Sequence, residues 1–160
     1  MAEVTVLVCG EPLRGDDAIG PRVAEALSDR VRRRAEVRQV GGLMPDDLLE
    51  SAGPLIVVDA VRGLPAGTVV DLPLGDVTEL EGLGAGPASS HALPLGSVLA
   101  IAEHLEGGTL RGRFIGIGGA SFELGAPMSP SVEAAIRPAA AKIATWVRAL
   151  GRREVPSPCA

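Results

Sequence analysis

Short apolar runs alternate with stretches of helical period along this chain, and that alternation restricts its fold more than any other feature. Val4 to Cys9 is a compact apolar run suited to a strand buried on both faces. From about Asp17 to Arg34 the pattern turns helical, with Ile19, Val23, Leu27 and Val31 spaced by four on one side. Pro21 is tolerable there because it falls in the first turn. Glu36 to Val40 forms a second short strand, ended by Gly41-Gly42, and Pro45 to Leu49 a short helix with an acidic first turn. Pro54 to Asp59 is the clearest strand, apolar and mostly β-branched, ending on a carboxylate. Thr68 to Leu72 and Arg113 to Ile117 add two more. The glycine-rich stretch Gly75 to Ser90 reads as a mobile loop. Helix returns at Pro94 to Leu105, with Val98, Leu99, Ala102 and Leu105 on one face. Ser129-Pro130 starts another, since proline suits the first helical position, and Val132, Ile136, Ala139, Ile143, Val147 and Leu150 continue one stripe.

Alternating strands and helices imply an α/β fold: a mostly parallel twisted sheet with helices on both faces, three layers in all. The 160 residues fit one such domain over 1–150, with 151–160 as a flexible tail carrying two prolines. Hydrophobic residues make up 46% but aromatics only 2%, so the core must be Ala, Val, Leu and Ile. A net charge of −5 offers no electrostatic footprint for nucleic acid or an anionic membrane. Cys9 and Cys159 are too few for a disulfide framework or a cysteine-rich metal site. No basic segment followed by an apolar run opens the chain, and no apolar stretch could span a bilayer, so a cytoplasmic protein is expected.

In such sheets ligands bind beyond the carboxyl ends of the strands. The loop Gly10 to Asp17 follows the first strand, Asp59 closes the strongest one, and His91 lies in the loop leading to the next helix. All three can reach one edge. Asp17, Asp59 and His91 form a borderline-hard donor set suited to Ni, Zn, Fe or Co, and three protein ligands leave positions open for water or substrate. Asp16 is expected to cap the following helix through its N–H groups, leaving Asp17 free to point at a cation.

Taken singly, each residue has a plainer reading. An Asp pair before a helix usually caps it, a strand-end Asp often forms a turn, and a histidine beside serines in a glycine-rich loop is commonly solvated. Their convergence on one edge favours a site. Elsewhere the plain reading holds: His104 at the surface, Arg30 to Arg34 a solvated helix end, Cys9 a small buried hydrophobe, Trp146 packed on the sheet. Gly10 to Gly15 lacks the Lys-Ser/Thr ending of a phosphate loop, and its acids would repel phosphate.

Several stretches, in order and spacing, make the chain resemble the nickel-iron hydrogenase maturation endopeptidases. They are Gly10-Glu11-Pro12-Leu13-Arg14-Gly15-Asp16-Asp17-Ala18-Ile19-Gly20, Met44-Pro45-Asp46-Asp47-Leu48-Leu49, Ile56-Val57-Val58-Asp59-Ala60, Ser90-His91-Ala92-Leu93-Pro94 and Met128-Ser129-Pro130-Ser131-Val132. The resemblance covers nearly the whole chain. It implies removal of the carboxyl-terminal extension from the large-subunit precursor of a [NiFe]-hydrogenase. It also implies that Asp17, Asp59 and His91 are both the metal-binding and the catalytic trio. Nickel would arrive with the precursor, and no tightly bound cofactor of the enzyme's own is expected; nor is any partner beyond that precursor, the enzyme acting as a monomer.

Glu11 stands where the family commonly carries Asn, and Ala18 where Gly is frequent. The residues leave two other classes open: a general metallohydrolase holding its own divalent metal, and a non-catalytic nickel-site assembly factor. No Ser or Cys nucleophile is evident beside a base.

Overall fold

The computed structural model describes residues 2–51, 53–87 and 93–152. Six strands, β1 (Val4–Cys9), β2 (Ala35–Gly41), β3 (Leu55–Arg62), β4 (Val69–Pro73), β5 (Gly86–Pro87) and β6 (Gly112–Gly118), form one sheet. Its order is β2-β1-β3-β6-β4, with β5 pairing β3 off that path. The pairs β1–β2, β1–β3 and β3–β6 are parallel. The edge pair β4–β6 and the short β3–β5 ladder are antiparallel. The three-layer α/β expectation is met.

Two cores follow from the alternation of side chains along each strand. Val4, Val6 and Val8 of β1, Ile56, Val58 and Ala60 of β3, and Ile115 and Ile117 of β6 face one side. There they meet α1 (Ile19–Glu25), α2 (Asp29–Arg32), α6 (Pro130–Ala134) and α7 (Ile136–Gly151). Leu7, Cys9, Leu55, Val57, Val61 and Phe114 face the other, against α3 (Pro45–Leu49), α4 (Val77–Gly82) and α5 (Leu95–Glu106). Among the described residues the hydrophobic core is aliphatic apart from Cys9, Phe114 and Phe122. Among the described residues no helix is long and apolar enough to cross a membrane.

Four expectations are corrected. The helix read over Asp17 to Arg34 is two, because Ser28 is extended (ψ 158°) and its hydroxyl accepts from Val31 N at 3.4 Å, starting α2 afresh. Ile19, Val23, Leu27 and Val31 are nonetheless all buried. The stretch from Gly75 is no simple loop. It holds the 3-10 turn Leu74–Asp76, then α4 and β5, anchored by buried Leu74, Val77, Leu80 and Ala85. Leu105 is 63% exposed, and Leu95 takes the core position one turn before Val98. Asp59 does not close its strand; β3 runs three residues further, to Arg62. Residues 88–92 and 153–160, which include His91 and most of the expected tail, lie outside the described residues.

Candidate active site

The strand β1 ends at Cys9, and the chain crosses to α1 through a loop closed by the 3-10 turn Gly15–Ala18. Two glycines make this path possible. Gly10 has φ 120°, and a Cβ there would run into the Asp17 carbonyl. Gly15 has φ 55°, and a Cβ would come within 2.5 Å of the Ser121 carbonyl oxygen. The loop is therefore folded tightly back on itself, and both acids of the turn are enclosed.

Asp16 is fully buried and does not cap α1. Its carboxylate instead reaches across to the segment after β6. Oδ1 accepts from Ser129 N at 2.6 Å; Oδ2 accepts from Ser129 Oγ at 2.7 Å, Ala120 N at 2.8 Å and Ser121 N at 3.0 Å. Asp16 N donates in return to the Ser121 carbonyl at 2.7 Å. Burial opposes ionisation of this carboxyl, but the four donors outweigh it and hold its pKa below the usual value. Asp16 thus welds the loop of residues 10–18 to residues 120–129. Sequence reasoning missed this role for Ser129, read only as a helix start; its side chain makes no cap bond.

Asp17 behaves differently. Only 8% exposed, it accepts from Glu11 N at 2.9 Å through Oδ2, while its buried Oδ1 has no hydrogen-bond partner among the described residues. Burial pushes its pKa up, and so does the Glu11 charge. The Glu11 N–H and the Arg62 and Arg14 guanidinium groups oppose the shift only in part. Arg62 lies at the end of β3, its guanidinium 4.2 Å from the centre of the Phe122 ring. The Glu11 carboxylate turns back on its own loop and accepts from Leu13 N at 3.3 Å.

Asp59 stands on β3, 7% exposed, on the same sheet face as Val57 and Val61. Burial drives its pKa well up, and the nearby Asp17 charge adds to this, against one backbone N–H from Ala60. Asp17 and Asp59 are therefore brought into one electrostatic neighbourhood at the carboxyl edge of the parallel strands. Burial and the Asp17 charge thus both oppose ionisation of Asp59. An orphaned buried carboxylate oxygen beside a second acid is the arrangement a divalent ion would satisfy. The third expected member, His91, falls in the span outside the described residues. Among the described residues no group of three or more His, Cys, Asp or Glu side chains is placed to hold a metal.

Cys9 is buried beneath this edge, and burial, then Asp59, Asp47 and Asp17, push its thiol pKa well up. A thiol so held is no nucleophile. His104 is exposed on α5. Trp146 packs where the sequence suggested, half-buried, donating to Asp71 of edge strand β4 at 2.9 Å beneath the Arg113 guanidinium.

The fold is shared with proteins of known structure. The hydrogenase maturating endopeptidase HybD from E. coli superposes with a TM-score of 0.73 over 93% of each chain, at 28% identity. The [NiFe] hydrogenase maturation protease HybD from Thermococcus kodakarensis gives 0.72 over 91% of this chain and 98% of its own, at 21% identity. The hydrogenase 2 maturation peptidase from a Thaumarchaeota archaeon gives 0.58 over 92% of this chain and 97% of its own, at 26% identity. No curated protein matches the chain in sequence. Residues 21–146 match the family model HycI, hydrogenase maturation protease; the chain belongs to that family.

Proposed function

We propose that this protease removes the carboxyl-terminal extension of a [NiFe]-hydrogenase large-subunit precursor and selects the nickel-loaded form through Asp17, Asp59 and His91. The observation that carries this reading is the buried Oδ1 of Asp17, without a hydrogen-bond partner among the described residues, in the neighbourhood of the buried carboxyl of Asp59. Nickel belongs to the substrate in this scheme, not to the enzyme. Before docking, burial opposes ionisation of both acids, and the Asp17 charge adds to this at Asp59. A divalent ion presented by the precursor would neutralise them and supply the missing partner of Oδ1. Precursor without metal would leave that repulsion in place and seat poorly. Specificity for the loaded precursor then follows from electrostatics. Once seated, the ion is positioned to polarise the scissile carbonyl or to activate a water. The reaction takes place in the cytoplasm, with one enzyme chain per precursor.

The test is direct. The protein is mixed with precursor, with and without nickel, and the precursor's mass is measured. Loss of a short carboxyl-terminal peptide in the nickel sample alone is the expected result. Cleavage of generic peptides by protein that retains its own metal would replace this reading with a metallohydrolase. Binding of loaded precursor without shortening would replace it with an assembly factor. Asp17→Asn, Asp59→Asn and His91→Ala are expected to fold and to lose at least about 100-fold in cleavage rate. Normal cleavage by all three would remove these residues from the site.

A further inference from the structure

Exposed large apolar side chains are unevenly spread over this molecule. Among the described residues there are seven, and five of them, Leu13, Met44, Leu83, Leu93 and Leu124, stand 49–85% exposed around the carboxyl edge of the parallel strands. We propose that these five form an apolar rim that seats a folded partner, the globular body of the precursor around its metal; the inference rests on the function proposed above.

Topology places them there. Leu13 follows β1, Met44 lies between β2 and α3, and Leu124 follows β6. Leu83 precedes Gly84, whose carbonyl abuts Gly63 just past the end of β3. Leu93 leads into α5, whose far end feeds β6, so it too stands at this edge. From Met44 to Leu124 the rim crosses β2, β1, β3 and β6, three inter-strand steps or about 14 Å. Asp17 and Asp59 are recessed at the same edge, nearly enclosed. An ion carried to them by a partner must therefore ride on a projection, and the surface flanking that projection meets the rim. So wide a span suits a globular face rather than one extended segment. Separate apolar anchors with exposed Glu11, Arg14 and Glu123 among them have the make-up of a protein interface. Part of the rim is rigid as well: Gly125 N donates to the Leu13 carbonyl at 2.8 Å, beside the Asp16 weld, so Leu13 and Leu124 are presented together. The other two exposed side chains, Ile101 and Leu105, lie further along α5, which leads away from this edge.

Steady-state cleavage of the nickel-loaded precursor tests the rim, with α5 as the built-in control. Leu13→Asp, Met44→Asp and Leu124→Asp are each expected to raise KM about tenfold, with kcat within about threefold of the parent. Ile101→Asp and Leu105→Asp should leave KM within about twofold. All five variants should melt within about 2 °C of the parent, because each changes an exposed side chain. A synthetic peptide spanning the cut, at about 100-fold excess, is expected not to slow cleavage of the precursor. Inhibition by that peptide would overturn the folded partner in favour of an extended segment. Unchanged KM in the three rim variants, or an equal rise in the α5 pair, would overturn the rim and leave the function intact. If the parent binds loaded precursor in a calorimeter without cleaving it, the proteolytic function fails, and the Kd of the same variants decides the rim. Neither binding nor cleavage by the parent would overturn both.

Discussion

One peptide bond separates Asp16 from Asp17, yet their surroundings drive their protonation in opposite directions. Asp16 meets four donors and is held ionised; its pKa is lowered, so its contribution to stability is present above the unfolded value and lost as pH falls through the folded one. Asp16→Asn would turn an amide toward N–H groups that need an acceptor. It is expected to cost about 2–3 kcal/mol at pH 7, read by thermal unfolding. Asp59 has the reverse sign. Its raised pKa means that stability is fully present below the unfolded carboxyl value and falls as pH rises through the folded one. Asp59→Asn, which mimics the neutral form, should therefore raise the melting temperature at pH 7, by about 2–4 °C for each kcal/mol recovered, and lose that advantage near pH 3. A lower melting temperature at both pH values would contradict the buried like-charge pair. That Asp17 and Asp59 come into one neighbourhood was legible in the sequence, because each follows an apolar run near the carboxyl end of a parallel strand. The role of Asp16 was not, since its partner Ser129 is 113 residues away and nothing local announces the contact.

Spacing of apolar residues reads burial more faithfully than it reads continuity. Ile19, Val23, Leu27 and Val31 kept their places in the core although the helix breaks between α1 and α2, because two short helices can turn the same side inward. Ser28 makes that break stable, and Ser28→Ala is expected to cost about 1 kcal/mol in a denaturant titration, with the slope unchanged. An equal loss on Ser28→Asp, which restores a capping oxygen, would argue against the cap. In Leu74 to Leu80 the glycines masked a true i, i+3 pattern; Leu74, Val77 and Leu80 anchor a helix whose exposed face is polar. The strands were the easiest elements to see, since β1, β3 and β6 are buried over most of their length and read as largely apolar runs. The extension of β3 beyond Asp59 was hidden because Arg62 ends it on a charge.

For the molecule as a whole, alternation of elements was enough to give three layers, since parallel strands need crossovers and crossovers need faces to cover. Strand order was beyond it: no local signal says that β4 turns antiparallel at the edge beside β6, held by Asp71 accepting from Arg113 at 2.7 Å and from Trp146 at 2.9 Å. The Asp16 junction ties this sheet's first crossover to the segment that leads from β6 to α6, and three of its four bonds go to main-chain N–H groups. Ala120→Pro, which deletes one of them, should lower the melting temperature by several degrees, about 1–3 kcal/mol. Ala120→Ser and Ser121→Ala should stay within about 0.5 kcal/mol of the parent. A fastening that grips the backbone is indifferent to what hangs from it. Descendants of this chain are thus at liberty to rewrite the lettering of that turn without loosening its hold on the loop that carries Asp16 and Asp17.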